Sequence, residues 1–150
     1  MLFIASDSTH YVTATSYISV ADATDIMSAS TDHSEWDSKS DAVKKIILNQ
    51  SSLAVDGMMS YKGKKTDSAQ LLKFPRDDSH TIPTGILLAV CKLALEFVGG
   101  TAFSGDSEVQ SEKIGKLAIT YFQSRDTNAK SSGVLSYLNG LEMRHIRLNP

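Results

Sequence analysis

Gly63-Lys64-Lys65-Thr66 is the first run in this chain whose residue types suggest chemistry, since glycine and lysine together recur in loops that wrap phosphates. A nucleotide-hydrolysing phosphate loop needs a glycine five residues ahead of Gly63 and a Ser or Thr directly after Lys64. Met58 and Lys65 stand there instead. Without the first glycine the backbone cannot enclose the phosphates, so hydrolysis is not expected. His10, His33, His80 and His145 are far apart, and none has a second His or Cys at metal-ligand spacing, which argues against structural zinc. Asp77-Asp78-Ser79-His80 could offer oxygens and a nitrogen to a divalent ion, but without a remote partner it reads as a solvated turn. Cys91 falls on an apolar stretch and reads as inert core. No Gly-x-Ser-x-Gly elbow supports a serine nucleophile. The expectation is a protein with no enzymatic step, no metal and no cofactor.

The basic stretch Lys62, Lys64, Lys65, Lys73 and Arg76 is opposed only by Asp67 and flanked by Tyr61 and Phe74. Cations beside aromatic rings are what non-specific strand binding requires, with phosphates held by charge and bases by stacking. The bland alternative is a solvated loop.

The elements that must position these residues are mainly helical. Ser19 followed by Asp22 is a capping-box-like start for a helix of about ten residues, ending near Ser30. Ser40-Asp41 opens a long helix over about 41–59, on which Val43, Ile46, Ile47, Ala54 and Met58 recur at helical spacing. Residues 60–81 carry Gly63 and Pro75 with neither helical nor strand period, and read as a long ordered loop. Pro83 suits the first position of a central buried helix running to the Gly99-Gly100 stop. Ile114, Leu117, Ile119 and Tyr121 fall in an extended strand or hairpin over 109–122, kinked at Gly115. A short helix through Val134, Leu135, Tyr137, Leu138 and Leu141 follows, and residues 143–150 suit a strand or extended arm. The fold class expected is mainly α: a small helical bundle with a projecting β-strand or hairpin and an extended C-terminal arm.

The whole chain has 150 residues, 41% of them hydrophobic, and a formal charge of -2. That fits one domain over 1–150 with a continuous core. Near-neutrality argues against a protein devoted to gripping phosphates, though it leaves room for a local basic patch. Residues 1–41 hold seven acidic side chains against Lys39 alone, so the molecule has an acidic end and a mildly basic remainder. A lone cysteine excludes an intrachain disulfide and suits a cytosolic folding environment. Apolar Met1–Ala5 lacks a basic flank and is interrupted at Asp7, so no secretory signal is expected. The stretch 82–98 contains Pro83, Lys92 and Glu96, so no membrane span is expected.

A set of landmarks runs along most of the chain: Tyr17, Ala21-Asp22, Trp36, Tyr61-x-Gly63, Gln70-x-x-x-Phe74-Pro75-Arg76, Ile82-Pro83, and Ser111-Glu112-x-Ile114-Gly115 leading to Tyr121. In that order they resemble a family of small tailed-phage head-to-tail connector or adaptor proteins of the neck, some of which are labelled DnaT-like single-stranded DNA-binding. The stretch to Thr15 has no matching landmark. The resemblance implies a structural virion protein, assembled in the host cytoplasm. It would form a dodecameric ring between the portal and the tail or further neck proteins, and extend a channel through which duplex DNA passes without sequence-specific binding. The alternative, from the second label, is a single-stranded DNA-binding replication accessory protein.

Under the connector reading the subunit and portal interface falls to Arg76, to Ile114, Leu117, Ile119 and Tyr121, and to Met143, Arg144, Ile146, Arg147 and Leu148. Acidic residues of 22–41 would face lysines of a neighbouring subunit and steer assembly. Under the DNA-binding reading the contacts are Lys62, Lys64, Lys65 and Lys73. Arg76 has a purely intramolecular alternative, a loop staple whose donors reach carbonyls at helix C-termini or an adjacent carboxylate.

Overall fold

A serine oxygen sets the start of each of the first and third helices. In the computed structural model, which describes residues 2–31, 33–58, 60–99, 137, 138, 140 and 141, helix α1 spans Val20–Met27. The Ser19 hydroxyl accepts from the Asp22 N–H at 3.1 Å and donates to the Asp22 carboxylate at 2.8 Å, as the sequence predicts. The helix closes at Met27, a turn earlier than its pattern suggests, with Ser28 as cap. A five-residue helix, α2 (His33–Asp37), follows, which the sequence reading missed. It is too short to show a period, and Trp36 is its one buried residue. The Trp36 indole N–H donates to Thr24 Oγ1 at 2.9 Å, tying α2 to α1.

Helix α3 (Asp41–Met58) begins where Ser40 caps it, the hydroxyl accepting from the Val43 N–H at 3.4 Å. Helix α4 (Thr84–Gly99) buries eight of its sixteen residues and packs against α1, α2 and α3, which makes it the central element its wide apolar arc predicts. Pro83 lies just outside it rather than at its first position. The Pro83 carbonyl accepts from the Ile86 and Leu87 amides, so proline acts as the capping residue. The core joins Trp36, Tyr17, Met27, Ile47, Leu48, Val55, Leu72, Ile86, Leu93 and Leu138, each exposed by 1% or less.

The molecule is thus mainly helical, and among the described residues β structure is limited to two isolated bridges, Ala5 with Ser16 and Lys65 with Arg76. The first holds the N-terminal segment beside α3, where Asn49 receives the Thr15 hydroxyl at 3.0 Å and donates to the Leu2 carbonyl at 3.2 Å. The projecting strand or hairpin expected over 109–122 and the arm over 143–150 lie outside the described residues. Of the short helix expected after 133, the described part is Tyr137, Leu138, Gly140 and Leu141, with Leu138 fully buried. The Tyr137 carbonyl lies over the first turn of α4 at Gly85, where an added Cβ would come within 2.3 Å of it. Glycine there is required by that close approach.

Candidate nucleic-acid interface

Loop 60–81 carries the basic cluster, and a buried polar frame sets its shape. Asp56, in the last turns of α3, receives the Lys73 N–H at 3.0 Å and the Tyr17 hydroxyl on its other oxygen. That hydroxyl accepts in turn from the Phe74 N–H at 3.1 Å. Burial pushes the Asp56 carboxyl up to about 6, against the opposing pull of its Tyr17 and Lys73 hydrogen bonds. Gln70 is 3% exposed, and its amide donates to the carbonyls of Leu72 and Pro75 while accepting from the Asp67 N–H at 2.6 Å. These buried groups satisfy backbone that a structureless loop would otherwise leave unpaired.

Arg76 closes the loop. Its Nε donates to the Lys62 carbonyl at 2.7 Å, Nη1 to Lys73 at 3.1 Å, and Nη2 to the carbonyls of Tyr61 and Gly63. Within the chain Arg76 thus staples its own loop, on loop carbonyls and not on helix C-termini, and a role at a subunit boundary belongs to the proposals below. Opposite it, Gly63 adopts φ 78 directly under Asp77, whose carboxylate would lie 2.1 Å from a Cβ placed there. Asp77 Oδ1 accepts from the Lys64 N–H at 3.0 Å, and the Asp77 N–H returns a bond to the Lys64 carbonyl at 2.8 Å.

The structure brings Lys62, Lys64, Lys65 and Lys73 together on this loop, with different freedom. Lys62 and Lys64 are exposed. Lys65 Nζ donates to the Gln70 carbonyl at 2.8 Å, and Lys73 Nζ lies 5.6 Å from the centre of the Tyr61 ring. Among the described residues the ion pairs are His10–Asp7 and His33–Asp37, so none of the loop's cations lies within ion-pair distance of a carboxylate, although Lys73 and Lys65 act on the buried Asp56 from farther off. The expectation of aromatic platforms is corrected here. Tyr61 and Phe74 are 3% and 4% exposed and meet edge to face at 4.8 Å, with Tyr17 on the far side of Phe74 at 6.2 Å. Their faces are taken by one another and by Lys73 and Arg76.

Between the loop and the 137–141 segment lies an open cleft of about 310 Å³, bordered by Lys62, Phe74, Arg76 and Asp77 on one side and by Pro83 and Leu141 on the other. The Lys62 N–H donates to the Leu141 carbonyl at 2.9 Å and fixes this wall. Ile114, Leu117, Ile119, Tyr121, Met143, Arg144, Ile146, Arg147 and Leu148 lie outside the described residues. Among the described residues no group of His, Cys, Asp and Glu could hold a metal ion, and no helix is long and apolar enough to cross a membrane. Cys91 is buried on α4, which pushes its thiol up to about 12.

Sequence reasoning missed Tyr17, Asp56 and Asp77 as the frame of this surface. Asp56 had a signal: a carboxylate beside Val55 and one turn after Ser52, on the apolar side of α3.

A small helical domain that carries a stapled basic loop is the class this architecture defines. Residues 1–144 match the model of the family described as "putative DnaT-like ssDNA binding protein", and the chain belongs to that family. No curated protein and no solved structure matches it.

Proposed function

We propose that this chain is a non-enzymatic single-stranded DNA-binding protein that contacts its ligand through loop 60–81. The observation that carries the reading is the gathering of Lys62, Lys64, Lys65, Lys73 and Arg76 on one loop, with Lys62 and Lys64 exposed. Family membership supports it. A stapled loop in which five Lys and Arg outnumber Asp67, Asp77 and Asp78 attracts an anionic polymer, and Lys62 and Lys64 are the two exposed lysines able to reach phosphate. With about two phosphates neutralised, affinity falls roughly sevenfold between 50 and 200 mM salt, from the single-strand slope of about −0.7 per contact. Binding is therefore weak, no tighter than about micromolar at physiological salt. Fluorescence anisotropy with a labelled oligothymidine tests this, and charge reversal at Lys62 and Lys64 removes the signal. Undiminished binding by that double variant would place the ligand elsewhere.

A second reading has its own observation. Burial of Tyr61 and Phe74 leaves the loop without the stacking platforms that tight single-strand binding uses. That favours a structural part in a tailed-phage neck, as a ring between portal and tail, with Arg76 and segments 109–122 and 143–150 at subunit and portal contacts. Sedimentation with and without a portal ring separates the readings. Complex formation with portal, together with no oligonucleotide binding at low salt, selects the connector.

A further inference from the structure

The cleft beside loop 60–81 has an apolar floor and a rim of mixed charge. Pro83 and Leu141 supply the floor beside the edge of the buried Phe74, while Lys62, Arg76 and Asp77 stand on the rim. Arg76 is fixed by its carbonyl partners and lies 5.8 Å from the centre of the Phe74 ring. Asp77 uses Oδ1 on the Lys64 N–H, while its Oδ2 rests against Gly63 and has no hydrogen-bond partner among the described residues, so one acceptor at the cleft edge is left unused. Such a cleft sorts the parts of an oligonucleotide. The Asp77 carboxylate repels phosphate, which keeps the strand's backbone on Lys62 and Lys64 outside. A flat base loses water against the floor and can donate an N–H to Oδ2, the way carboxylates read base edges. A volume of about 310 Å³ is at the small end of ligand sites, the scale of one nucleoside rather than a stack of bases.

Resting on the DNA-binding reading above, we infer that this cleft receives one unstacked nucleobase of the bound strand and that Asp77 favours a base with an exocyclic amine. Cytosine presents its 4-amino group as a donor, whereas thymine places a carbonyl acceptor at the same position, its partial negative charge toward the carboxylate, and keeps only its N3–H as a donor on that edge. Phosphate contact then supplies general affinity and the cleft supplies composition preference.

Asp77→Asn isolates the preference. Asp77 has φ 55, a left-handed conformation that Asn adopts as readily, and an Asn oxygen can keep the Lys64 bond. Anisotropy titrations at low salt compare labelled oligodeoxycytidine and oligothymidine of equal length. The wild-type chain should bind oligodeoxycytidine about tenfold more tightly, the scale of one hydrogen bond to a charged group. D77N should bring the two within about twofold of each other while still binding oligothymidine. Equal affinities in the wild type, or a preference that survives D77N, overturn the base site and leave the DNA-binding reading standing on the oligothymidine signal. No binding of either strand at low salt overturns that reading and the site with it.

Discussion

The Tyr17 hydroxyl donates to the buried Asp56 carboxylate, joining the segment that precedes α1 to the end of α3. Because that hydroxyl also accepts the Phe74 N–H, and Asp56 the Lys73 N–H, one polar knot orients the strand of loop that carries Phe74 and Arg76. The fold therefore couples the shape of a surface loop to the protonation of an interior group.

Asp56 titrates near 6 in the folded chain, above its ordinary 3.8, because burial disfavours its charge. The folded state thus holds this proton more tightly than the unfolded state. Its contribution is fully present below about pH 4 and is lost as pH rises through about 6. Relative to wild type, Asp56→Asn should become more stable by about 2–3 kcal/mol on going from pH 4 to pH 7. Urea melts at several pH values check this. A difference between the two proteins that does not change with pH would mean that Asp56 is solvated.

Arg76 works through the fork of its guanidinium, which reaches carbonyls on both arms of the loop. Lysine keeps the charge but not the planar spread of donors. Arg76→Lys should therefore cost nearly as much as Arg76→Ala, about 2 kcal/mol or roughly 4–8 °C in Tm. A lysine variant that melts with wild type would show that charge alone suffices.

Ser51 is fully buried on α3, and its hydroxyl has no hydrogen-bond partner among the described residues. Replacing it with alanine removes an unsatisfied group and raises helix propensity. Ser51→Ala should stabilise the chain by about 1 kcal/mol in calorimetry. Destabilisation would reveal a partner for the hydroxyl.

Gly85 permits the Tyr137 carbonyl to rest on the first turn of α4. Alanine favours the helix by about 1 kcal/mol in an exposed setting, but here its methyl meets backbone oxygen. Gly85→Ala should displace the 137–141 segment, release the Lys62 amide from the Leu141 carbonyl, and speed hydrogen exchange at Lys62. Unchanged exchange with a gain in stability would count against this docking.

Long-range partners decide what the sequence could and could not reveal. Helices α3 and α4 are legible because eighteen and sixteen residues show several turns of apolar spacing, with Ser40 and Pro83 marking their starts. Helix α2 offers five residues and one buried side chain, too little for any period. The basic cluster is legible from composition alone. The fate of its aromatic neighbours is not, since Phe74 is held by Tyr17, 57 residues away, and nothing in the local pattern announces that contact. Tyr61 and Phe74 thus look like surface platforms in one dimension and prove to be core in three.

Cys91 gives the molecule a built-in reporter. As the chain's one thiol, 3% exposed on the central helix and pushed up to about 12, it is shielded both by protein and by a scarcity of thiolate. A small alkylating reagent can modify it only when α4 comes away from its neighbours. The labelling rate of the unmodified sequence then measures how often the core opens, with no engineered probe. A ligand that binds the folded form alone should slow that reaction in proportion to its occupancy.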